Sequence, residues 1–162
     1  DTVQIETLHM AHDELGTVGF VFTYLDCGNR FGFATDLGRV PKSLLDTFVK
    51  LDVLAIESNY DPTMQLMSGR PEFLKDRIMG GSGHLSNEES LEAVRRISES
   101  SSLKHIVLLH LSRQCNAPSI IRDLYQTKLA HLDPLLTITD QDRCSRLLKL
   151  EKQHSIIPAS LL

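Results

Sequence analysis

Asp52-Val53-Leu54-Ala55-Ile56-Glu57 decides how the rest of the chain is read. Four apolar residues in a row, closed by an acid at each end, are too short for a helix. They do not alternate either, so they read as a strand buried on both faces, the kind that occupies the middle of a parallel sheet. Upstream, Thr17 to Leu25 (TVGFVFTYL) and Phe31 to Thr35 (FGFAT) are β-branched and aromatic and flank Asp26-Cys27-Gly28-Asn29-Arg30, which predicts a hairpin. Farther upstream, Val3, Ile5 and Thr7 alternate with Gln4 and Glu6, the period of a half-buried strand, ending at a turn over His9 to Glu14.

Outward in the other direction, strands and helices alternate. Pro41 opens a helix carrying Leu44, Leu45 and Phe48 after the hairpin. Beyond the central strand, helices are predicted over Pro71 to Met79 and Asn87 to Glu99, the second with Leu91, Val94 and Ile97 on one face. Lys104 to Leu109 is a strongly apolar strand, Ala117-Pro118 starts a helix with Ile120, Ile121, Leu124 and Tyr125 inward, and Leu135 to Thr139 is a last strand. Ser145 to Glu151 fits strand or helix. Such alternation predicts a layered α/β fold, read as a single domain over residues 1–162.

Composition narrows the function classes. With 17 basic and 21 acidic residues the net charge is -4, so no global field draws the chain to nucleic acid, and a polyanion must be held locally by a metal or a few basic side chains. Cys27, Cys115 and Cys144 are odd in number and far apart, with no C-x-x-C pair. They read as free thiols of a reducing cytoplasm. No apolar run reaches the length of a membrane span. The chain opens at Asp1 without an initiator methionine and enters strand-like alternation at once, which suggests a piece of a longer protein.

Polar residues collect where strands end. His12 follows the first strand, Asp36 the third, Glu57 closes the fourth, and His110 ends the strand before Leu111-Ser112. Functional groups of open α/β sheets gather beyond the carboxyl ends of strands, and two imidazoles with a carboxylate suit a divalent cation such as zinc. Singly, each has a plainer reading: Asp36 as a turn residue, His110 as a strand-end histidine, His12 in solvent. A further histidine sits in Gly80-Gly81-Ser82-Gly83-His84-Leu85-Ser86-Asn87-Glu88-Glu89-Ser90. Three glycines in four residues allow close backbone approach, and Ser86 with Glu89 predicts a capping box, so His84 rides a short arm before a fixed helix. Arg70, Lys75 and Arg77 offer phosphate contacts or, mixed with Glu72 and Asp76, a solvated helix face. His105 is read as facing solvent.

Ala34-Thr35-Asp36-Leu37-Gly38, Leu54-Ala55-Ile56-Glu57-Ser58-Asn59-Tyr60-Asp61, Gly83-His84-Leu85-Ser86-Asn87 and Leu108-Leu109-His110-Leu111-Ser112 resemble, in order, the motifs of metallo-β-lactamase-fold hydrolases. The resemblance is to the WalJ/YycJ-type branch, related to tRNase Z. It implies an αββα sandwich, of which this chain is the C-terminal half, with two divalent metal ions, zinc or manganese, at one edge of the sheets. It further implies His12, Asp36 and His110 as metal ligands, with Asp36 bridging, and His84 with its acidic partner Glu57 beside a scissile phosphate. The implied activity is that of an exonuclease-like phosphodiesterase acting on DNA or RNA. The signature H-x-H-x-D-H is absent and is expected upstream, so this segment alone is expected to be inactive. A non-catalytic interaction domain and a thioester or small-ester hydrolase are the alternatives. Asp13, directly after His12, fits the family's His-Asp step, and Tyr60 stands where relatives often carry histidine.

Overall fold

Three short strands, β3 (Arg30–Ala34), β4 (Val53–Glu57) and β5 (His105–Leu109), lie parallel at the middle of the sheet, with Gly32 opposite Leu54 and Leu54 opposite Ile106. This computed structural model describes residues 2–12 and 14–151; Asp13 lies outside them. On one side the sheet continues through β2 (Thr17–Tyr24) to β1 (Val3–Met10), both antiparallel, and on the other through β6 (Leu136–Ile138), parallel to β5. The order is β1-β2-β3-β4-β5-β6, so neighbours in sequence are neighbours in space.

Parallel neighbours need long crossovers, and here these are helices. Helix α1 (Lys42–Thr47) joins β3 to β4, α4 (Asn87–Ser98) lies between β4 and β5, and α5 (Pro118–Lys128) precedes β6. They cover one face. Leu44 and Phe48, Leu91, Val94 and Ile97, and Ile121 and Tyr125 form one core with Val21, Ala34, Leu54, Ile56, Ile106, Leu108 and Leu136. Gly32 admits this layer, because a Cβ there would lie 2.7 Å from Leu51 Cδ1.

The opposite face carries Phe20, Phe22, Phe31 and Phe33, which meet along the sheet, two pairs stacked and Phe31–Phe33 edge-on, at centroid distances of 5.6 to 6.3 Å and remain half-buried. This face corrects one expectation. β1 forms where the alternation predicts it, but Val3, Ile5 and Thr7 are exposed and lie on the aromatic side, whereas Leu8 and Met10 face the helices. The described residues thus supply one sheet and one helical layer, half of an αββα sandwich.

Other differences are local. The predicted helix over Pro71 to Met79 is α3 (Glu72–Arg77) followed by a wide turn at Ile78–Ser82, and a short helix α2 (Pro62–Met67), capped by Asp61 at 2.8 Å from Met64 N, was not predicted. Lys75 is buried, its Nζ donating to Leu66 O, and is no part of a solvated face. Residues 145–151 form neither strand nor helix. Their backbone is held at Lys149 O by His105 Nε2, 3.0 Å, and at Glu151 O by Asn29, so His105 is half-buried instead of solvent-facing. Cys27, Cys115 and Cys144 are free thiols.

The capping box at α4 forms as read: Glu89 N donates to Ser86 Oγ at 3.2 Å and Ser86 N to Glu89 Oε2 at 2.8 Å. Replacing an N-cap serine leaves an orphan amide at the helix start. Ser86→Ala is expected to lower stability by about 1 kcal/mol, seen as a lower urea midpoint at unchanged slope.

Candidate metal centre

The sheet brings Asp36, Glu57 and His110 to one rim because β3, β4 and β5 run parallel and these residues stand at or just past their carboxyl ends. Asp36 and His110 both take left-handed backbone conformations, φ 56° and 60°. For residues other than glycine this costs about 1–2 kcal/mol each, and it turns both side chains out of the strand direction. Asn59 holds the second turn by donating from Nδ2 to His110 O at 2.7 Å.

Segment Ser58–Tyr60 then ties the remaining parts together. Ser58 N donates to Leu109 O, Ser112 N to Asn59 O, Asn59 N to Leu85 O and Asn87 N to Tyr60 O, so the loops bearing His110 and His84 are laced to the exit of β4. Beneath them lies a buried amide network. Ser58 Oγ donates to Asn87 Oδ1 at 2.7 Å, and Asn116 Nδ2 donates to Ser58 O, Asn59 O and Asn87 Oδ1, each at 2.9 Å. Satisfied buried networks of this kind make the arrangement rigid. The glycine-rich arm seats against the Asp36 turn: a Cβ on Gly38 would lie 2.5 Å from Gly81 O, and one on Gly83 2.4 Å from Ile78 Cα.

The five predicted residues converge. His12 Nε2, His84 Nδ1 and His110 Nε2 lie 3.7, 3.9 and 3.8 Å from the same oxygen, Asp36 Oδ1. The ring of His84 stands 5.2 Å from that of His12 and 5.1 Å from that of His110. Among the described residues no protein group hydrogen-bonds the Asp36 carboxylate. Its neighbours are too distant for such bonds, yet close to the roughly 3.3 Å that separates ligand atoms around a tetrahedral zinc with bonds of about 2.0–2.1 Å. Asp36 and its flanking imidazoles therefore have the spacing of a ligand set.

Tautomers follow from the outer contacts. His12 Nδ1 lies 2.8 Å from Gly83 O, an acceptor only, so Nδ1 carries the proton and Nε2 keeps its lone pair toward Asp36. His110 Nδ1 donates to Glu57 Oε1 at 3.2 Å, leaving its Nε2 likewise free. Glu57 is fully buried, and its Oε2 accepts from Leu37 N at 2.6 Å. His84 Nδ1 approaches Glu57 Oε1 to 2.7 Å, off the ring N–H direction, and has no well-formed hydrogen bond.

Burial alone would raise the Glu57 pKa, but donation from His110, the approach of His84 and the Leu37 amide together outweigh it, so the carboxyl is held below its ordinary range. In return the hydrogen bond to Glu57 raises the His110 pKa against partial desolvation, with the Asp36 charge adding to it. Glu57 was read from sequence as the partner of His84 alone. It accepts a hydrogen bond from His110 Nδ1 and lies 2.7 Å from His84 Nδ1. Leu37 N, Asn59, Gly83 O and the Asn87–Asn116 pair were missed; all but Asn116 stand inside the quoted motifs, but Leu37 and Gly83 act through backbone groups that no residue type announces.

His12, Asp36 and His84 form one group whose ligand atoms lie mutually within 4.8 Å, and Glu57, His84 and His110 form another. Both oxygens of Glu57 are engaged, so it acts as a brace in that second group. Among the described residues no helix is long and apolar enough to cross a membrane.

No protein-family model matches the chain. Among curated proteins it is 30% identical over 131 residues to exodeoxyribonuclease WalJ of Streptococcus pneumoniae, covering 81% of this chain and 48% of that protein. It is 27% identical over 120 residues to exodeoxyribonuclease YycJ of Bacillus anthracis, covering 74% and 44%. The chain thus spans about half the length of the curated relatives it matches. Among solved structures it is similar to the metallo-β-lactamase fold protein YhfI of Bacillus subtilis, with TM-score 0.57, 14% identity and coverage of 85% and 47%. It is also similar to human tRNase Z, short form, with TM-score 0.55, 14% identity and coverage of 86% and 41%. Zinc-bound PqqB of Methylobacterium extorquens follows at 0.51, 15%, 85% and 44%. The ordered motifs, the strand-end cluster and these likenesses agree: the chain has the metallo-β-lactamase fold and is similar to the WalJ/YycJ exodeoxyribonucleases.

Proposed function

We propose that the full-length protein is a metal-dependent, exonuclease-like phosphodiesterase acting on nucleic acid in the cytoplasm. One observation carries this reading: the Asp36 carboxylate, without a hydrogen bond among the described residues, is ringed by three imidazole nitrogens at 3.7 to 3.9 Å. The names of the WalJ and YycJ relatives support nucleic acid as the substrate class, and zinc-bound PqqB supports a divalent ion.

In this reading His12 through Nε2, His110 through Nε2 and Asp36 would hold the ions. Divalent ions bound there would activate water as the nucleophile and offset charge on phosphoryl oxygens. The remaining ligands come from a segment carrying H-x-H-x-D-H, and the Phe20–Phe33 face receives the second sheet. Glu57, buried, lies 2.7 Å from His84 Nδ1 and orients the ring. The His84 ring, 23% exposed on its side chain, lines the cleft and is the group placed to donate a proton to the leaving oxygen. Such general acid help is worth about 10²- to 10⁴-fold.

The test presents the full-length protein with end-labelled DNA and RNA, a thioester and a small carboxylic ester, in chelator and then with zinc or manganese restored. Expected is stepwise shortening of a nucleic acid strand only with metal. Metal-dependent hydrolysis of the esters alone would replace the phosphodiesterase reading, and no hydrolysis with metal bound would leave an interaction domain.

A further inference from the structure

Beside the histidines lies a cleft of about 390 Å³ whose walls include Asn59, Arg70, His84, His110, Ser112 and Gln114. Arg70 stands there in an unusual setting. Nη1 donates to Gln65 Oε1 at 3.2 Å, Nη2 to Ser112 Oγ at 3.3 Å and Nε to Gln114 Oε1 at 3.4 Å. All three acceptors are neutral, and among the described residues no carboxylate pairs with this guanidinium. The contrast is Arg113 on the same cleft, whose Nη2 pairs with Asp142 Oδ1 at 2.7 Å.

Two of the braces are fixed. Gln65 is fully buried on α2, and Ser112 also accepts from Cys115 N at 3.2 Å, its own amide being tied to Asn59. Three of the five guanidinium N–H groups are used, on long bonds, and two remain. A guanidinium oriented by neutral oxygens keeps its full charge for an incoming anion, and its planar fork matches phosphate. With a net charge of -4 the chain has no general field to do this work, so a polyanion depends on such a site.

We propose that Arg70 forms a phosphate-binding subsite that takes a non-scissile phosphate of a nucleic acid strand while the neighbouring linkage lies at the histidine cluster. This rests on the phosphodiesterase reading for its substrate class. Arg70 is a positioning residue here: it grips the strand and takes no part in bond cleavage.

The test uses the full-length protein in chelator, so that no strand is cut, and a short fluorescein-labelled oligothymidylate followed by anisotropy across a salt series. Arg70→Gln is expected to weaken binding about tenfold and to flatten the salt slope by about 0.7, the loss of one single-strand phosphate contact. Arg70→Lys, which keeps charge without the fork, is expected to restore the slope but not the affinity. Arg122→Gln, a control at an arginine paired with Asp133, is expected to change neither. Equal affinity and slope for Arg70→Gln and the unmutated protein would overturn the subsite, as would an equal loss in the Arg122 control.

A second readout separates this from the reaction itself. With metal restored, bis(4-nitrophenyl) phosphate, a diester with no neighbouring phosphate, is expected to turn over within twofold of normal in Arg70→Gln. A collapse of that turnover would overturn the positioning role. If no diester is hydrolysed at all while the binding difference stands, the hydrolase reading falls and the phosphate subsite survives.

Discussion

Asp36→Asn in the full-length protein is expected to abolish tight divalent-ion binding and to reduce metal-dependent hydrolysis by about 10³-fold or more, several kcal/mol of transition-state stabilisation. Asparagine is the informative replacement. Residue 36 sits at φ 56°, a conformation asparagine tolerates well and alanine does not, so the turn survives while the charge and the anionic oxygen are lost. The carboxylate is 38% exposed, takes no protein hydrogen bond among the described residues and meets the three imidazoles only at 3.7 to 3.9 Å, so its replacement breaks no hydrogen bond of the metal-free fold among those residues. Stability in chelator should therefore stay within about 0.5 kcal/mol of the unmutated protein. Calorimetric titration with zinc, beside urea unfolding in chelator, checks both halves. Retained zinc affinity would remove the metal centre; lost affinity with lost stability would make Asp36 a structural residue.

Much of this site was legible because its parts obey short-range rules. A strand buried on both faces must end, and the residues just past its end must be polar or turn-forming, so Asp36, Glu57 and His110 could be placed at one rim from strand ends alone. His84 was legible through its flanks, glycines before and a capping box after. What escaped notice depends on which layer each residue meets. Alternation at Val3, Ile5 and Thr7 announces a strand with an apolar face, yet says nothing about what that face packs on, and it turned out to be the face the helices do not cover. Lys75 looked solvated because its charge implies water, whereas the fold lets its stem lie buried and its ammonium reach the carbonyl of Leu66. The hydrogen-bond lacing through Ser58–Tyr60 was invisible for a similar reason: it uses backbone groups that every residue possesses.

Glu57 gives the second large effect, and the replacement chosen decides where it falls. Glu57→Ala leaves the buried Leu37 amide and the part-buried His110 Nδ1–H without their acceptor and opens a void, so a loss of about 3 kcal/mol is expected in urea unfolding. The charge adds a pH signature. Because the folded-state pKa is depressed, this stabilisation is complete above the ordinary carboxylate range and disappears as pH falls through the lower, folded value. The variant in chelator should accordingly lose part of the acid-side slope of stability. Glu57→Gln behaves differently. Its amide oxygen can still accept from Leu37 N, which turns the NH₂ toward His110 Nδ1. Two donors would then face each other, unless His110 moves its proton to Nε2. That shift rescues the hydrogen bond and most of the stability, but it places a proton on the nitrogen that points at Asp36. The expected outcome is a nearly normal unfolding midpoint with zinc affinity reduced about 10- to 100-fold, the usual range for losing an outer carboxylate on a ligand histidine. Nitrogen-15 shifts of the His110 ring would report the exchange of tautomer directly. Should zinc affinity survive with the proton still on Nδ1, Glu57 serves the fold alone and His110 needs no brace to act as a ligand.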